Sequence, residues 1–144
     1  MTMLRCAAIC LAAVPLAVAA QAATSPWFGT WKLRLSDPGE PPETLVYSDA
    51  GGGAMRMVSV EQNSVIVTRM DGVAAADIGT KDGGGRTLAV KAVSPTSYRW
   101  TFSVAGKTIA EGVNTLSADR RTFEEVSWSP AKPGKRVTLI YERQ

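Results

Sequence analysis

A carboxylate between two indoles is the arrangement in this sequence best suited to hold a ligand. If the surrounding strands pair as their turns suggest, Glu111 sits on an inward face between Trp100 and Trp128. Two ring faces and a negative charge suit a polar or cationic small molecule. Tyr98 and Tyr141 fall on the same face, and Arg56 and Arg69 are the arginines whose strands would bring a countercharge. A lone carboxylate buried in an apolar row costs several kcal/mol, so Glu111 must pair with one of those arginines, reach a wet rim or meet a ligand. The candidate ligand-binding set is therefore Glu111, Trp100, Trp128, Tyr98, Tyr141, Arg69 and Arg56. No catalytic residue, metal ligand or cofactor is expected.

Other chemistries are removed by what the chain lacks. Its 144 residues include no histidine, two cysteines, 16 Lys+Arg and 13 Asp+Glu, for a formal net charge of +3. Without histidine there is no Ser-His-Asp or Cys-His nucleophile pair and no imidazole proton shuttle. Glu111 and Glu124 would stand on neighbouring strands roughly a dozen ångströms apart by strand geometry, too far for a retaining glycosidase. Gly106-Lys107-Thr108 resembles the end of a phosphate-binding loop, but Thr101 stands where its first glycine should be and no helix follows. Ser129-Pro130-Ala131-Lys132 matches Ser-x-x-Lys, yet lies in a proline-rich loop rather than at a helix start. The aspartates fall near turns without the Asp-x-Asp-x-Asp-Gly spacing of a calcium loop. The densest basic stretch, Lys132 to Arg136, is a Pro/Gly loop, so no nucleic-acid partner is expected.

Residues 1–22 read as an export signal. Arg5 supplies the positive start, Cys6 to Ala20 is an apolar run broken by Pro15, and Ala20-Gln21-Ala22 is a small-x-small cleavage site. The run is short of the ~20 residues that span a bilayer. Cleavage after Ala22 would leave 23–144 as a single domain, periplasmic or secreted, with no transmembrane segment. Both cysteines, Cys6 and Cys10, would leave with the signal, and with them any disulfide or thiolate site.

The elements that must position the candidate site are short strands. Alternating segments near 29–35, 43–49, 54–61, 64–70, 76–80, 86–92, 98–104, 107–117, 122–129 and 136–142 are separated by turn residues such as Asp37-Pro38-Gly39, Asp71-Gly72 and Ala105-Gly106. This pattern predicts an all-β fold, an antiparallel barrel of about eight to ten strands, with a two-sheet sandwich as the alternative. Two-residue loops at Ala105-Gly106 and Asp119-Arg120 set a register. Phe102 then faces Ile109, Trp100 faces Glu111 and Tyr98 faces Val113; Glu111 faces Trp128, and Glu124 faces Tyr141. In that register Asn114, Glu125 and Ser127 point outward with Arg99, Thr101 and Ser103, and Leu116 and Phe123 are outward exceptions. In the earlier hairpin, Met55, Met57, Ile66 and Met70 share one face, Val58, Val60, Val65 and Val67 share the other, and Arg56 sits opposite Arg69.

Phe28-Gly29-Thr30-Trp31-Lys32-Leu33 near the start and Ile140-Tyr141-Glu142-Arg143 at the end resemble the two ends of small calycin barrels, the lipocalins and fatty-acid-binding proteins. Met70-Asp71-Gly72 and Leu116-Ser117-Ala118-Asp119-Arg120-Arg121-Thr122 are similar to turns of exported bacterial lipocalin-like proteins of uncharacterised function. The resemblance implies a barrel in which a late arginine, Arg143 or Arg136, packs on Trp31. It does not carry over a fatty-acid clamp, because Leu139 stands where that Arg-x-Tyr motif needs arginine, and Ser36 to Pro42 leaves no room for lid helices. Two non-catalytic functions stay open, with an enzyme as a third reading that the absence of histidine and of cysteine after cleavage disfavours. One is a non-catalytic barrel binding a small hydrophobic or amphipathic ligand, acting as a monomer. The other is a structural or protein-interaction module with a filled core, such as an inhibitor of secreted enzymes.

Overall fold

The structure, a computed structural model, describes residues 24–79 and 83–144. Residues 1–22, read above as an export signal, lie outside the described residues. Ten antiparallel strands form one sheet: β1 (Gly29–Leu33), β2 (Thr44–Gly51), β3 (Ala54–Ser59), β4 (Ser64–Thr68), β5 (Asp71–Ala76), β6 (Arg86–Ser94), β7 (Ser97–Val104), β8 (Lys107–Leu116), β9 (Thr122–Ser129) and β10 (Lys132–Arg143). Their order is β4-β3-β2-β1-β10-β9-β8-β7-β6-β5, so the sheet is a meander joined across its two chain ends by β1 and β10. The all-β barrel expectation holds. Among the described residues no helix is long and apolar enough to cross a membrane.

The remaining edges, β4 and β5, meet without a continuous ladder. Ile78 N–H donates to Val65 O at 2.9 Å, and the Asp77 carboxylate accepts from the amides of Val65 and Gly79, both at 2.9 Å. Asn63 Nδ2 donates to Gly79 O at 2.8 Å. These bonds satisfy edge groups that would otherwise invite pairing with another chain. Gly79 is required by the close approach, since a Cβ there would collide with the Asn63 carbonyl and lie 2.8 Å from Val65 N. Gly79→Ala is expected to open this seam and cost ~1–3 kcal/mol, as overpacking does. Chemical denaturation measures the loss, and hydrogen exchange at the Val65 amide should accelerate with it.

A meander places its hairpin connections alternately at two ends. The β2–β3, β4–β5, β6–β7 and β8–β9 turns share one end with the start of β1 and the end of β10, and that end is sealed by aromatics. Trp27, 2% exposed, packs edge-on to Tyr98 at 4.6 Å and to Phe123 at 5.7 Å between ring centroids. Phe123 stacks on Tyr141 at 4.6 Å and meets Trp31 at 5.0 Å. The Arg143 guanidinium lies 4.0 Å from the Trp31 ring centre and donates to the carbonyls of Phe28, Pro26 and Arg120 at 2.6, 2.6 and 2.8 Å. Of the two arginines considered for Trp31, Arg143 takes the place; Arg136 instead lies over Trp128, 4.2 Å from its centre.

Two local irregularities change the expected register. The β7–β8 turn is the two-residue one anticipated, with Ala105 and Gly106 at φ 48° and 76°. The ladder then bulges, running from Ser103↔Thr108 to Phe102↔Ala110, and Ile109 is skipped. Trp100 therefore faces Gly112 and Tyr98 faces Asn114. Because side chains alternate with period 2, that single slip turns β8 over, and β9 with it. Ala110, Gly112, Asn114 and Leu116 point inward with Phe123, Glu125 and Ser127, the reverse of expectation. A second shift between Lys132 and Arg136 sets Phe123↔Tyr141 and Glu125↔Leu139, so the slips cancel and β10 keeps its expected inward face. In the first hairpin the Met55, Met57 and Ile66 face is the buried one. Arg56 pairs with Val67 rather than with Arg69, so the two like charges are not opposed. The fifth strand begins at Asp71, not near 76, because Met70 makes the corner with φ 56° and the Asp71-Gly72 pair enters the strand through an irregular register.

Candidate functional site

Inside the barrel, towards the end carrying the β3–β4 and β5–β6 connections, lies a cavity of about 280 Å³. Its walls are Leu45, Met57, Ile66, Leu88 and Phe102, with Tyr47, Tyr98, Tyr141 and Trp100 below and Glu43, Gln62, Ser64 and Asp77 among its polar lining. The inward rows explain the mixed chemistry. Large apolar residues come from β2 to β4 and from β6 and β7, whereas β8 and β9 contribute Ala110, Asn114 and Glu125.

Gly112 makes the space for Trp100. A Cβ at position 112 would run into the indole ring, so the glycine lets the indole lie flat across β8. There Trp100 Nε1 donates to Asn114 Oδ1 at 2.8 Å. An indole nitrogen can only donate, which fixes the amide orientation of Asn114. The amide nitrogen then donates to Tyr98 OH at 2.9 Å and to Glu125 Oε2 at 3.3 Å. Tyr98 OH lies 3.1 Å from Tyr47 OH. Whichever hydroxyl donates across that contact, one of the two protons has no acceptor among the described residues.

The two inward glutamates are held differently. Glu43 accepts from Tyr141 OH at 2.6 Å, from Ser59 Oγ at 3.1 Å and from Gln62 Nε2 at 3.3 Å. Glu125 receives only the Asn114 amide among the described residues. Burial pushes the Glu125 carboxyl up to about 7, the Asn114 hydrogen bond opposes this, and the negative charge of Glu43 adds to it. Burial also drives the Tyr47, Tyr98 and Tyr141 hydroxyls above the ordinary phenol range, so all three remain neutral. Asp77 behaves oppositely. Burial works against its charge, but the amides of Val65 and Gly79 outweigh it and the carboxyl lies below its usual value.

Of the residues expected to bind, Trp100, Tyr98 and Tyr141 line the cavity. The other four lie elsewhere. Glu111 pairs with Thr101 and Trp128 on the outer face, where its Oε2 accepts from Trp128 Nε1 at 3.0 Å. Arg136 covers the far side of that indole, so the arginine near Glu111 is neither Arg56 nor Arg69. Arg56 is exposed on β3, and Arg69 borders a separate cleft between β4 and β5 beside Asp71 and Val73. The carboxylate that the turned-over β9 brings inward is Glu125, a residue that the expected register placed outside. Asn114, Tyr47 and Glu43 were missed with it. The available signal was the facing pair Asn114↔Glu125 beside Tyr98, a polar row too regular to be chance once β8 is turned over.

Because Glu111 is outside, Glu111→Gln keeps an oxygen for the Trp128 N–H and disturbs no buried charge. The expected stability change is below ~1 kcal/mol, with cavity binding unaltered. A loss near ~3 kcal/mol, the value for a broken buried pair, would place Glu111 back inside.

Among the described residues, no cluster of three or more cysteines, aspartates or glutamates is arranged to hold a metal ion. The cavity can instead offer a neutral or charged carboxyl, one phenolic proton and several ring faces to an organic molecule. Neither the known protein-family models nor the curated proteins include a match to this chain.

Proposed function

We propose that this protein is an exported, lipocalin-like barrel that binds a small molecule in its interior and carries out no catalysis. The observation that carries the reading is the polar group left over inside the cavity. A tyrosine proton of the Tyr47–Tyr98 pair and the Glu125 carboxyl, which has one protein donor among the described residues, face a space of about 280 Å³. Buried polar groups are almost always satisfied, so whatever fills this space must accept and donate hydrogen bonds there. Its volume lies just below the range of ligand sites, which run upward from about 300 Å³, and so limits the occupant to a small molecule. The Gly-x-Trp start and the Arg143–Trp31 stack support the lipocalin-like assignment. The aromatic seal at the opposite end favours one entrance, through the β3–β4 and β5–β6 side.

The Arg5 start, the apolar run and the Ala20-Gln21-Ala22 site support export, which would put the protein in the periplasm or outside the cell. Native mass spectrometry of the protein purified gently from its host tests both parts. The expected spectrum is a monomer beginning at Ala23 with a second peak heavier by a ligand of a few hundred daltons or less. Retention of Met1 on exported protein would refute the cleavage. Absence of added mass, together with no uptake of any small probe, would leave the interaction-module reading in its place.

A further inference from the structure

The charge lining the cavity is of one sign. Glu43, Glu125 and Asp77 border it, and no lysine or arginine does so among the described residues. Two of the three acids are committed to the fold. Asp77 ties β4 to the segment after β5 through two amides, and Glu43 gathers Tyr141, Ser59 and Gln62. Glu125 has no such structural task. One of its oxygens takes a 3.3 Å bond from Asn114, and the other has no protein donor among the described residues.

The walls carry the same preference. Tyr47, Tyr98, Tyr141, Trp100 and Phe102 all border the cavity. Aromatic faces are the negative side of a quadrupole and attract a cation, the more so where water is excluded. The phenolic proton left over at the Tyr47–Tyr98 pair asks for a hydrogen-bond acceptor inside the cavity, since Tyr47 and Tyr98 are 4% and 1% exposed. Together these groups repel a carboxylate and a phosphate, and they receive an ammonium group joined to an apolar or aromatic body.

Resting on the ligand-binding reading above, we propose that the cavity selects small organic amines, with the ammonium held by Glu125 and the body against Trp100 and the tyrosines. A ligand oxygen or ring face in reach of Tyr47 and Tyr98 would take the free phenolic proton.

A matched set of naphthalene probes separates this proposal from the reading beneath it. At pH 8, calorimetry is run with 1-naphthylmethylamine, 1-naphthalenemethanol and 1-naphthoic acid, which share one apolar body and carry positive, neutral and negative groups. The expected order is amine, alcohol, acid, with the amine at least about tenfold tighter than the alcohol. In Glu125→Gln the amine should fall to the affinity of the alcohol, while the alcohol itself stays within about threefold and so reports an intact cavity. If the acid matches or exceeds the amine, or if the Gln variant keeps the preference for the amine, the cation assignment is overturned while the cavity stands as a binding site. If none of the three probes binds, the ligand-binding reading fails and this inference fails with it.

Discussion

Trp27→Ala is expected to destabilise the protein by ~3–5 kcal/mol, the range for removing a large buried aromatic side chain. The indole is 2% exposed and fills the sealed end between Tyr98 and Phe123. Neighbouring atoms have little freedom to collapse into the space. Arg143 holds the backbone on both sides of the residue through the carbonyls of Pro26 and Phe28, and Trp31 Nε1 donates to the Trp27 carbonyl at 2.9 Å. Those bonds survive the substitution, so the segment stays in place around a void and the cost should lie towards the upper part of the range. Equilibrium denaturation with urea measures it, and near-ultraviolet circular dichroism should lose part of its aromatic signal. A change under ~1 kcal/mol would mean that Ser25–Phe28 is not seated in the barrel.

How much of this was readable beforehand depends on what each residue's position relies upon. The short strands and their hairpin connectivity follow from alternation and turn chemistry, which are local, whereas the β1 and β10 junction joins residues more than 100 apart and is indicated only by the likeness of the two ends to a calycin barrel. Trp31, Tyr98 and Tyr141 are large and aromatic, and their inward placement survived every register error. The orientation of β8 and β9 depends instead on one skipped residue, Ile109, which nothing in the turn sequence announces. Hydrophobic sorting pointed the wrong way at that step for a physical reason. The inward row contains Gly112, Asn114, Glu125 and Ser127, while Ile109, Val113, Val126 and Trp128 lie outside. The hydrogen-bonded cluster of Trp100, Asn114, Tyr98 and Glu125 breaks the apolar-inside rule at this place. Glu111 attracted attention because a carboxylate on an apolar face is anomalous. It is ordinary on the outer face, and the anomaly belongs to Glu125, on the strand beside it.

That anomaly has a consequence for stability. Glu125→Gln is expected to make the protein more stable at pH 8 and to leave it nearly unchanged at pH 4.5. Burial, partly opposed by the Asn114 hydrogen bond and reinforced by Glu43, raises the Glu125 carboxyl from 4.5 to about 7. Between those values the folded protein keeps a proton that the unfolded chain has released. The folded state then binds more protons, so stability falls as pH rises through the window from about 4.5 to about 7 and is level above it. The shift corresponds to at most ~3 kcal/mol. Because the side chain borders the cavity and is not fully buried, solvent screening reduces this to ~1–3 kcal/mol. Glutamine cannot ionise, yet its oxygen can still accept from Asn114 Nδ2, so the variant should lose the decline without losing the contact. Asp77 supplies an internal reference. Its lowered carboxyl contributes stability that is present above the ordinary aspartate range and lost as pH falls below it, in the wild-type protein and the variant alike. Denaturation at pH 4.5, 6 and 8 should therefore show two curves that nearly coincide at pH 4.5, stand well apart by pH 6 and are furthest apart at pH 8. A constant offset at all three values would show that Glu125 titrates as a solvated carboxylate, and that the Asn114–Tyr98–Tyr47 network does not shield it.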